Sequence, residues 1–361
     1  MFYYLSQLTD VFSWLNIFRY ITFRAGMAAV TTFILCIVLG PLFIEKLKSM
    51  RVKEVAKRED CPDLDQFQEH KEGTPTMGGI FIIGSLLISI GLWTDLSNPH
   101  VLLTIITMVY LAILGWCDDY CKLKKIGQRG LTKKMKLLWQ ILLGCFVGTY
   151  VYFSPSISTI IDVPFMKSLV LDIGIFYILI VAIIIIGTSN AVNLTDGLDG
   201  LAIGCVLIVA VTLAVLSYLT GHVNFSGYLL IPYIPGSGEL TVICAAIVGA
   251  SLGFLWFNCY PASVFMGDVG SLSLGGTLGV IAILIKKELL LVIMGGVFVI
   301  EAFSVILQVT SFKMRGKRIF KVSPLHHHFQ LSGWKESKII IRFWILAIIF
   351  AFITLTTLKI R

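Results

Sequence analysis

GIFYILIVAIIIIGT, residues 174–188, runs without a charge into SNAVNLTDGLDG, residues 189–200. The first stretch has the composition of a segment held in hydrocarbon. The second carries a polar side chain every third residue, at Asn190, Asn193, Asp196 and Asp199, which lays a stripe along one side of a helix or tight turn. Gly197 and Gly200 permit close backbone approach or a break. A helix cap followed by a loop would account for one Asn or Asp, not for four in step. An apolar span ending in a functional polar stripe is the better reading, and other parts of the chain repeat the pairing.

Working outward, the whole chain is 57% hydrophobic and 14% charged, with mean hydropathy +0.89, whereas a soluble domain is usually about 25% charged. A soluble core cannot absorb so much apolar side chain; a bilayer can. A span takes roughly 20 mostly apolar residues, and ten candidates follow: 23–44, 77–93, 101–117, 136–153, 174–188, 201–219, 241–257, 269–285, 289–310 and 339–358. The expectation is an all-α integral membrane protein of about ten transmembrane helices, with residues 1–361 forming one membrane domain. Residues 1–20 lack the basic start and cleavage site of a secretory signal and read as an aromatic-rich interfacial helix. The glycines of 269–285 (Gly270, Gly275, Gly276, Gly279) point to close helix–helix contact. The eight cysteines contain no CxxC pair and read as small packing residues.

Lys and Arg concentrate in alternate loops. Lys46, Lys48, Arg51, Lys53, Lys57, Arg58 and Lys71 lie in 45–76. Lys122, Lys124, Lys125, Arg129, Lys133 and Lys134 lie in 118–135, and Lys313, Arg315, Lys317, Arg318, Lys321, Lys335 and Lys338 in 311–338. The intervening loops 94–100 and 220–240 hold none, 154–173 holds only Lys167, and Lys286 and Lys287 run against the trend. By the positive-inside rule the basic loops face the cytoplasm and both termini are periplasmic. The formal charge of +8 is then a topology signal, which argues against nucleic-acid binding.

The unusual polar clusters all fall on that face, which predicts an active site assembled there. Asp118-Asp119 closes a span; neighbours on a helix point about 100° apart, so the two carboxylates are expected to do different jobs. Asp268 sits in a glycine-flanked turn, Gly267-Asp268-Val269-Gly270, and suits Mg²⁺, which takes one or two carboxylates and leaves the rest to water and phosphates. Phe265 is placed either to stack on a base or to face lipid. His326-His327-His328 cannot all bind one metal from regular backbone; contact with phosphate or proton transfer is the better use. Carboxylates for a metal, basic groups for phosphate oxygens and glycine turns for close approach form an inventory for phosphoryl transfer.

These motifs resemble the phospho-N-acetylmuramoyl-pentapeptide-transferase family, nearly end to end: Phe18-Arg-Tyr-Ile-Thr-Phe-Arg-Ala25, Lys71 through Gly79, Gly115-Trp-Cys-Asp-Asp-Tyr120, Asn190 through Ala202, Phe265 through Ser271 and the His triplet. The aspartate motifs are shared with the wider polyprenyl-phosphate N-acetylhexosamine-1-phosphate transferase superfamily. The segment 71–79 and Pro324 through His328 favour the muramoyl-pentapeptide branch, and Cys117 and Cys121 are minor departures. The resemblance implies ten helices, usually in a homodimer, in the bacterial inner membrane. It implies transfer of phospho-MurNAc-pentapeptide from UDP-MurNAc-pentapeptide to undecaprenyl phosphate with Mg²⁺, giving lipid I and UMP for peptidoglycan synthesis. It makes Asp268 the magnesium ligand, with Asp118 and Asp119 near the metal and the lipid phosphate. It lines the nucleotide pocket with Lys71, Thr76, Asn190, Asn193, Asp196, Asp199, Asn258, Phe265 and Ser271, and sets Gln308 and His326–His328 toward the phosphates and sugar. Two alternatives differ: a sister transferase using UDP-GlcNAc, and a secondary transporter. Transporters put their polar groups near the midplane, whereas here they crowd one face.

Overall fold

The computed structural model describes residues 1–9, 12–50, 73–124, 130–155, 157–162 and 170–358. Its long helices are Ile21–Ser49 (α1), Gly79–Trp93 (α2), Pro99–Leu123 (α3), Lys133–Phe153 (α4), Tyr177–Thr195 (α5), Leu201–Thr220 (α6), Leu240–Asn258 (α7) and Gly267–Leu284 (α8). Glu288–Met294 (α9), Gly296–Arg315 (α10), Leu325–Leu331 (α11) and Glu336–Thr356 (α12) complete the bundle. Among the described residues nine helical segments are long and apolar enough to cross a membrane, so the chain is a multi-pass membrane protein. The tenth expected span, α2, has only 15 residues. It nevertheless runs from Gly79, against Gly270 at one end of the bundle, to Trp93, whose carbonyl accepts from Arg24 at the other.

Three expectations need adjusting. Residues 1–20 do not form one interfacial helix but short turns, Phe2–Leu5, Ser6–Leu8 and Ser13–Arg19. Their aromatic rings find a better surface than lipid: Phe2 and Phe18 lie 4.7 and 6.2 Å from the Trp93 ring, at the end of α2. The span 289–310 is two helices that break at Gly295, where Gly296 packs so tightly on Phe350 that a Cβ would stand 2.7 Å from its ring. Finally, the loop 154–173 contains a two-stranded antiparallel ribbon, Ile160–Asp162 (β1) with Val170–Asp172 (β2), in register Ile161↔Leu171. At the end of β2, the exposed Asp172 carboxylate accepts from the Thr159 hydroxyl and the Gly174 amide, which hold it below the usual carboxylate range.

At the centre stands α8, in which every residue from Asp268 to Leu284 is buried. An apolar helix gains little by leaving lipid for protein, so close van der Waals packing must hold it there. The glycines provide it. A Cβ on Gly276 would lie 2.0 Å from Leu111 of α3, and one on Gly275 would lie 2.6 Å from the Thr188 carbonyl of α5. The pairing of α1 with α7 uses the same device, with Gly249 against the Ala29 carbonyl. Residues with side chains at these points would push the helices apart and cost roughly 1–3 kcal/mol each by overpacking.

Candidate active site

The site begins where α8 begins. Its first turn has unpaired backbone N–H groups, as any helix start does, and a neighbouring helix satisfies two of them. The Asp119 Oδ2 of α3 accepts from Asp268 N at 2.9 Å and from Val269 N at 3.3 Å. Gly267 at φ +73° is left-handed, and a side chain there would meet that same oxygen at 2.7 Å. Gly115, one turn below, lets α3 come so close that a Cβ would stand 2.3 Å from the Asp268 carbonyl. Asp119 is therefore a cap supplied across helices, and its negative charge sits at the positive end of the α8 dipole.

Around that cap three carboxylates and two ammonium groups converge. Asp268 Oδ1 accepts from Asn193 Nδ2 at 2.7 Å, while Oδ2 accepts from Lys136 Nζ at 2.8 Å and Lys122 Nζ at 3.0 Å. Lys122 Nζ also lies 2.9 Å from Asp118 Oδ2 and 3.5 Å from Asp119 Oδ1. Asp118 Oδ1 takes the Leu131 amide at 2.8 Å. The two neighbouring aspartates thus reach one cation although their Cβ directions differ by about 100°. Lys122 stands three and four residues further on, where both side chains can lean toward it. The expected inequality is still present, because Asp119 is tied to α8 and Asp118 to the loop before α4. All three carboxylates are nearly buried, but the Lys122 side chain is 43% exposed and free to swing outward.

The stripe that opens the sequence analysis divides its work. Asn193 gives one N–H to Asp268 and, at 2.8 Å, one to Ser271 Oγ, which itself donates to the Gly267 carbonyl. Asn190 donates to Gln140 Oε1 at 2.9 Å, and Gln140 in turn to Ser189 Oγ at 3.1 Å. Asp199 is buried, takes the Ala262 amide at 2.9 Å and has its own amide on Glu336. Asp196 and Thr76 are half-buried at the same end. Asn258 spends both ends of its amide on backbone, accepting from Gly200 N at 3.0 Å and donating to the Val264 carbonyl at 2.8 Å. Half-buried Phe265 lies on a strap whose backbone is sewn to the segment before α2, through Phe265 N to Pro75 O at 2.9 Å and Gly78 N to Phe265 O at 2.8 Å. Gln308 turns inward to the 316–324 loop, with Oε1 accepting from Ile319 N and Phe320 N. Lys71 lies outside the described residues.

The His triplet rides on α11, so its rings fan out. His326 is fully buried, with its amide on Glu301 Oε1 at 3.2 Å and its Nδ1 3.1 Å from Glu301 Oε2. Its other edge meets the stripe: a Cβ on Gly197 would stand 2.2 Å from Nε2. The Glu301 carboxyl on Nδ1 fixes the ring's orientation and turns Nε2 toward the Asp196–Asp199 turn. His327 Nδ1 pairs with Gln330 at 2.8 Å, and half-buried His328 accepts the Lys321 amide at 3.2 Å.

Sequence reasoning missed Lys122 and Lys136 as site residues, because Lys122 was counted only as loop charge and Lys136 fell at the first position of the span 136–153. It also missed Glu301, although a lone carboxylate inside an apolar span is a signal in itself. Gln140, a buried amide on another span, left the same mark.

A multi-pass bundle that collects acids, lysines and a buried His–carboxylate pair at one end is the architecture of a membrane-embedded group transferase. Residues 101–286 match the family model for glycosyl transferase family 4. Residues 71–83 match signature 1 of phospho-N-acetylmuramoyl-pentapeptide-transferase. The chain is 49% identical to the phospho-N-acetylmuramoyl-pentapeptide-transferase of Citrifermentans bemidjiense over 361 residues, all of both chains. It is 51% identical to that of Pelobacter propionicus over 346 residues, 96% of each. With that of Oleidesulfovibrio alaskensis the identity is 47% over the full length of both. The chain belongs to the phospho-N-acetylmuramoyl-pentapeptide-transferase family and is a transferase.

Proposed function

We propose that this protein transfers phospho-MurNAc-pentapeptide from UDP-MurNAc-pentapeptide to undecaprenyl phosphate at the cytoplasmic face of the bacterial inner membrane, releasing UMP and forming lipid I for peptidoglycan synthesis. The observation that carries the reading is the convergence of Asp118, Asp119 and Asp268 on one ammonium, with Lys136 beside it. Three carboxylates against two ammonium groups leave one unmatched negative charge in a site nearly closed to water, a centre poised to take up a cation.

Mg²⁺ fits that centre. The oxygens already converge on a point of positive charge, and Lys122 is exposed enough to yield the place. Among the described residues no group of three or more His, Cys, Asp or Glu is arranged to hold a metal ion by itself; Mg²⁺ takes only one or two carboxylates and completes its shell with substrate phosphates and water. Asp268 would hold it, with Asp118 and Asp119 Oδ1, which faces Lys122, at hand. When bound, it would neutralise diphosphate charge as phosphoryl transfer proceeds.

The chain's own groups divide the remaining work. Asp118 orients the acceptor phosphate and takes its proton, so that an acceptor oxygen attacks the sugar-bearing phosphorus and UMP departs with the bridging oxygen. Lys122 and Lys136 neutralise non-bridging oxygens. Asn193 and Ser271 hold the Asp268 carboxylate at its angle. Phe265 faces the uracil, with Lys71, Thr76, Asn190, Asp196 and Asp199 around the nucleotide and Asn258 bracing the strap. His326, held by Glu301, presents Nε2 to the phosphates and sugar, with His327, His328 and Gln308 behind it. A homodimer with periplasmic termini completes the reading.

The test is UMP release from the full chain in detergent with a polyprenyl phosphate added. UDP-MurNAc-pentapeptide should support release and UDP-GlcNAc should not; release from UDP-GlcNAc alone would move the protein to the sister branch. Orientation is checked separately, since external thiol reagents on intact cells should reach cysteines placed at Asn98 and Asn224 but not at Lys317.

A further inference from the structure

Beyond the transferase site, one surface carries chemistry that the reaction does not use. The last turn of α10 and the loop after it hold Lys313, Arg315, Lys317 and Arg318 within six residues, and no Asp or Glu occurs from Ala302 to Lys335. All four are exposed, and none makes an ion pair among the described residues. Topology alone would need only their charge, in any conformation. Here the loop is built. Gln308 holds it with three hydrogen bonds of 2.9 Å, to Ile319 N, Phe320 N and Phe320 O. Ser311 Oγ closes onto the Lys317 carbonyl at 2.9 Å, and Gly316 at φ +65° makes the turn. Two apolar side chains stand out beside the cations, Met314 at 76% exposure and Ile319 at 55%.

The placement completes the case. The loop follows a membrane-crossing helix directly, so it must lie at the membrane surface. Clustered basic residues immediately beyond a span attract anionic headgroups, while apolar neighbours enter the headgroup–acyl boundary. Such a surface fits a phosphodiester headgroup over the cations and acyl chains beside Met314 and Ile319. We infer that the Lys313–Arg318 turn is a binding surface for an anionic glycerophospholipid of the surrounding membrane. Its occupancy is wired toward the candidate site, because Lys321 at the base of the turn gives its amide to His328 and, at 3.0 Å, its ammonium to the Leu331 carbonyl of α11.

The experiment counts lipid retained by the intact full-length protein in native mass spectrometry, with phosphatidylglycerol or phosphatidylcholine added at equal concentration. The parent protein should retain phosphatidylglycerol preferentially. K313Q/R315Q/K317Q/R318Q should lower that occupancy by about tenfold or more, and so should K317E/R318E, which disturbs only two exposed positions. K46Q/K48Q, on the last turn of α1, should retain it like the parent, and UMP release by all three variants should show that they fold. Undiminished retention in both loop variants would overturn the inference, as would equal retention of the two lipids. Displacement by excess inorganic phosphate would reduce the surface to a free-anion site, and displacement by polyprenyl phosphate would assign it to the acceptor; either outcome also refutes it.

Discussion

At the end of the bundle away from the site, Arg24 meets Glu239 through two parallel contacts, 2.5 and 2.6 Å, and gives a third to the Trp93 carbonyl at 3.1 Å. At the site end, Asp268 crowds two lysines onto a single oxygen while Lys122 is shared by three carboxylates. The first arrangement pairs one charge with one charge and matches the fork of a guanidinium to a carboxylate. The buried trio of Tyr177, Lys286 and Glu288 is of the same closed kind and explains why Lys286 defies the topology trend. The second arrangement is unbalanced, and one of its cations is half in solvent. Closed pairs join helices; an unbalanced cluster has capacity left for substrate. The residue types are the same at both ends, so stoichiometry and exposure make the difference.

The comparison breaks first at the acids. Asp268→Asn removes a charge but not the shape, so turnover should be abolished while the melting temperature stays near that of the parent; activity within a few-fold of the parent would remove Asp268 from the centre. Asp118→Asn should cut kcat by about 10²–10⁴, the usual effect of losing a general base, with uridine-nucleotide Kd unchanged. Nucleotide binding weakened as much as turnover would instead make Asp118 part of the diphosphate site.

The clasp should show the reverse pattern. Arg24→Ala leaves the Glu239 charge without a counter-ion among the described residues, held only by the Asp95 amide, and should cost about 3–5 kcal/mol of stability, read as earlier unfolding in detergent. Turnover per folded molecule should hold within a few-fold, and a selective loss of kcat with normal melting would contradict the division between the two ends.

Smaller effects sharpen it. Phe265→Ala should weaken nucleotide binding by roughly 1–3 kcal/mol if the ring stacks on the base, with kcat at saturation little changed; an unaltered Kd would return Phe265 to a packing role. Asp119→Asn keeps an acceptor for the α8 amides but loses the charge at the helix start, so it should cost about 0.5–2 kcal/mol in stability. It should also spare more activity than Asp118→Asn; equal loss from both would show that capping is not what distinguishes Asp119.

Much of this was legible in the chain. Hydrophobic runs of membrane length, glycines spaced along 269–285 and the bias of Lys and Arg each have a one-dimensional cause, and they yielded the helical membrane fold, the packing of α8 and the gathering of polar clusters at one end. The stripe Asn190–Asp199 was readable as one polar unit at the end of a span for the same reason. What each member does was not, because Asn193 meets Asp268 75 residues away and Asp199 meets Ala262 63 residues away. Tertiary packing alone decided that Asp119 caps α8, that Asn258 and Gln308 turn their amides onto loops, and that Lys122, read as a topology signal, and Lys136, read as the start of a span, belong among the acids. Hydrocarbon acts on each segment separately, so its imprint can be read along the chain, whereas a hydrogen bond depends on where two distant helices happen to cross.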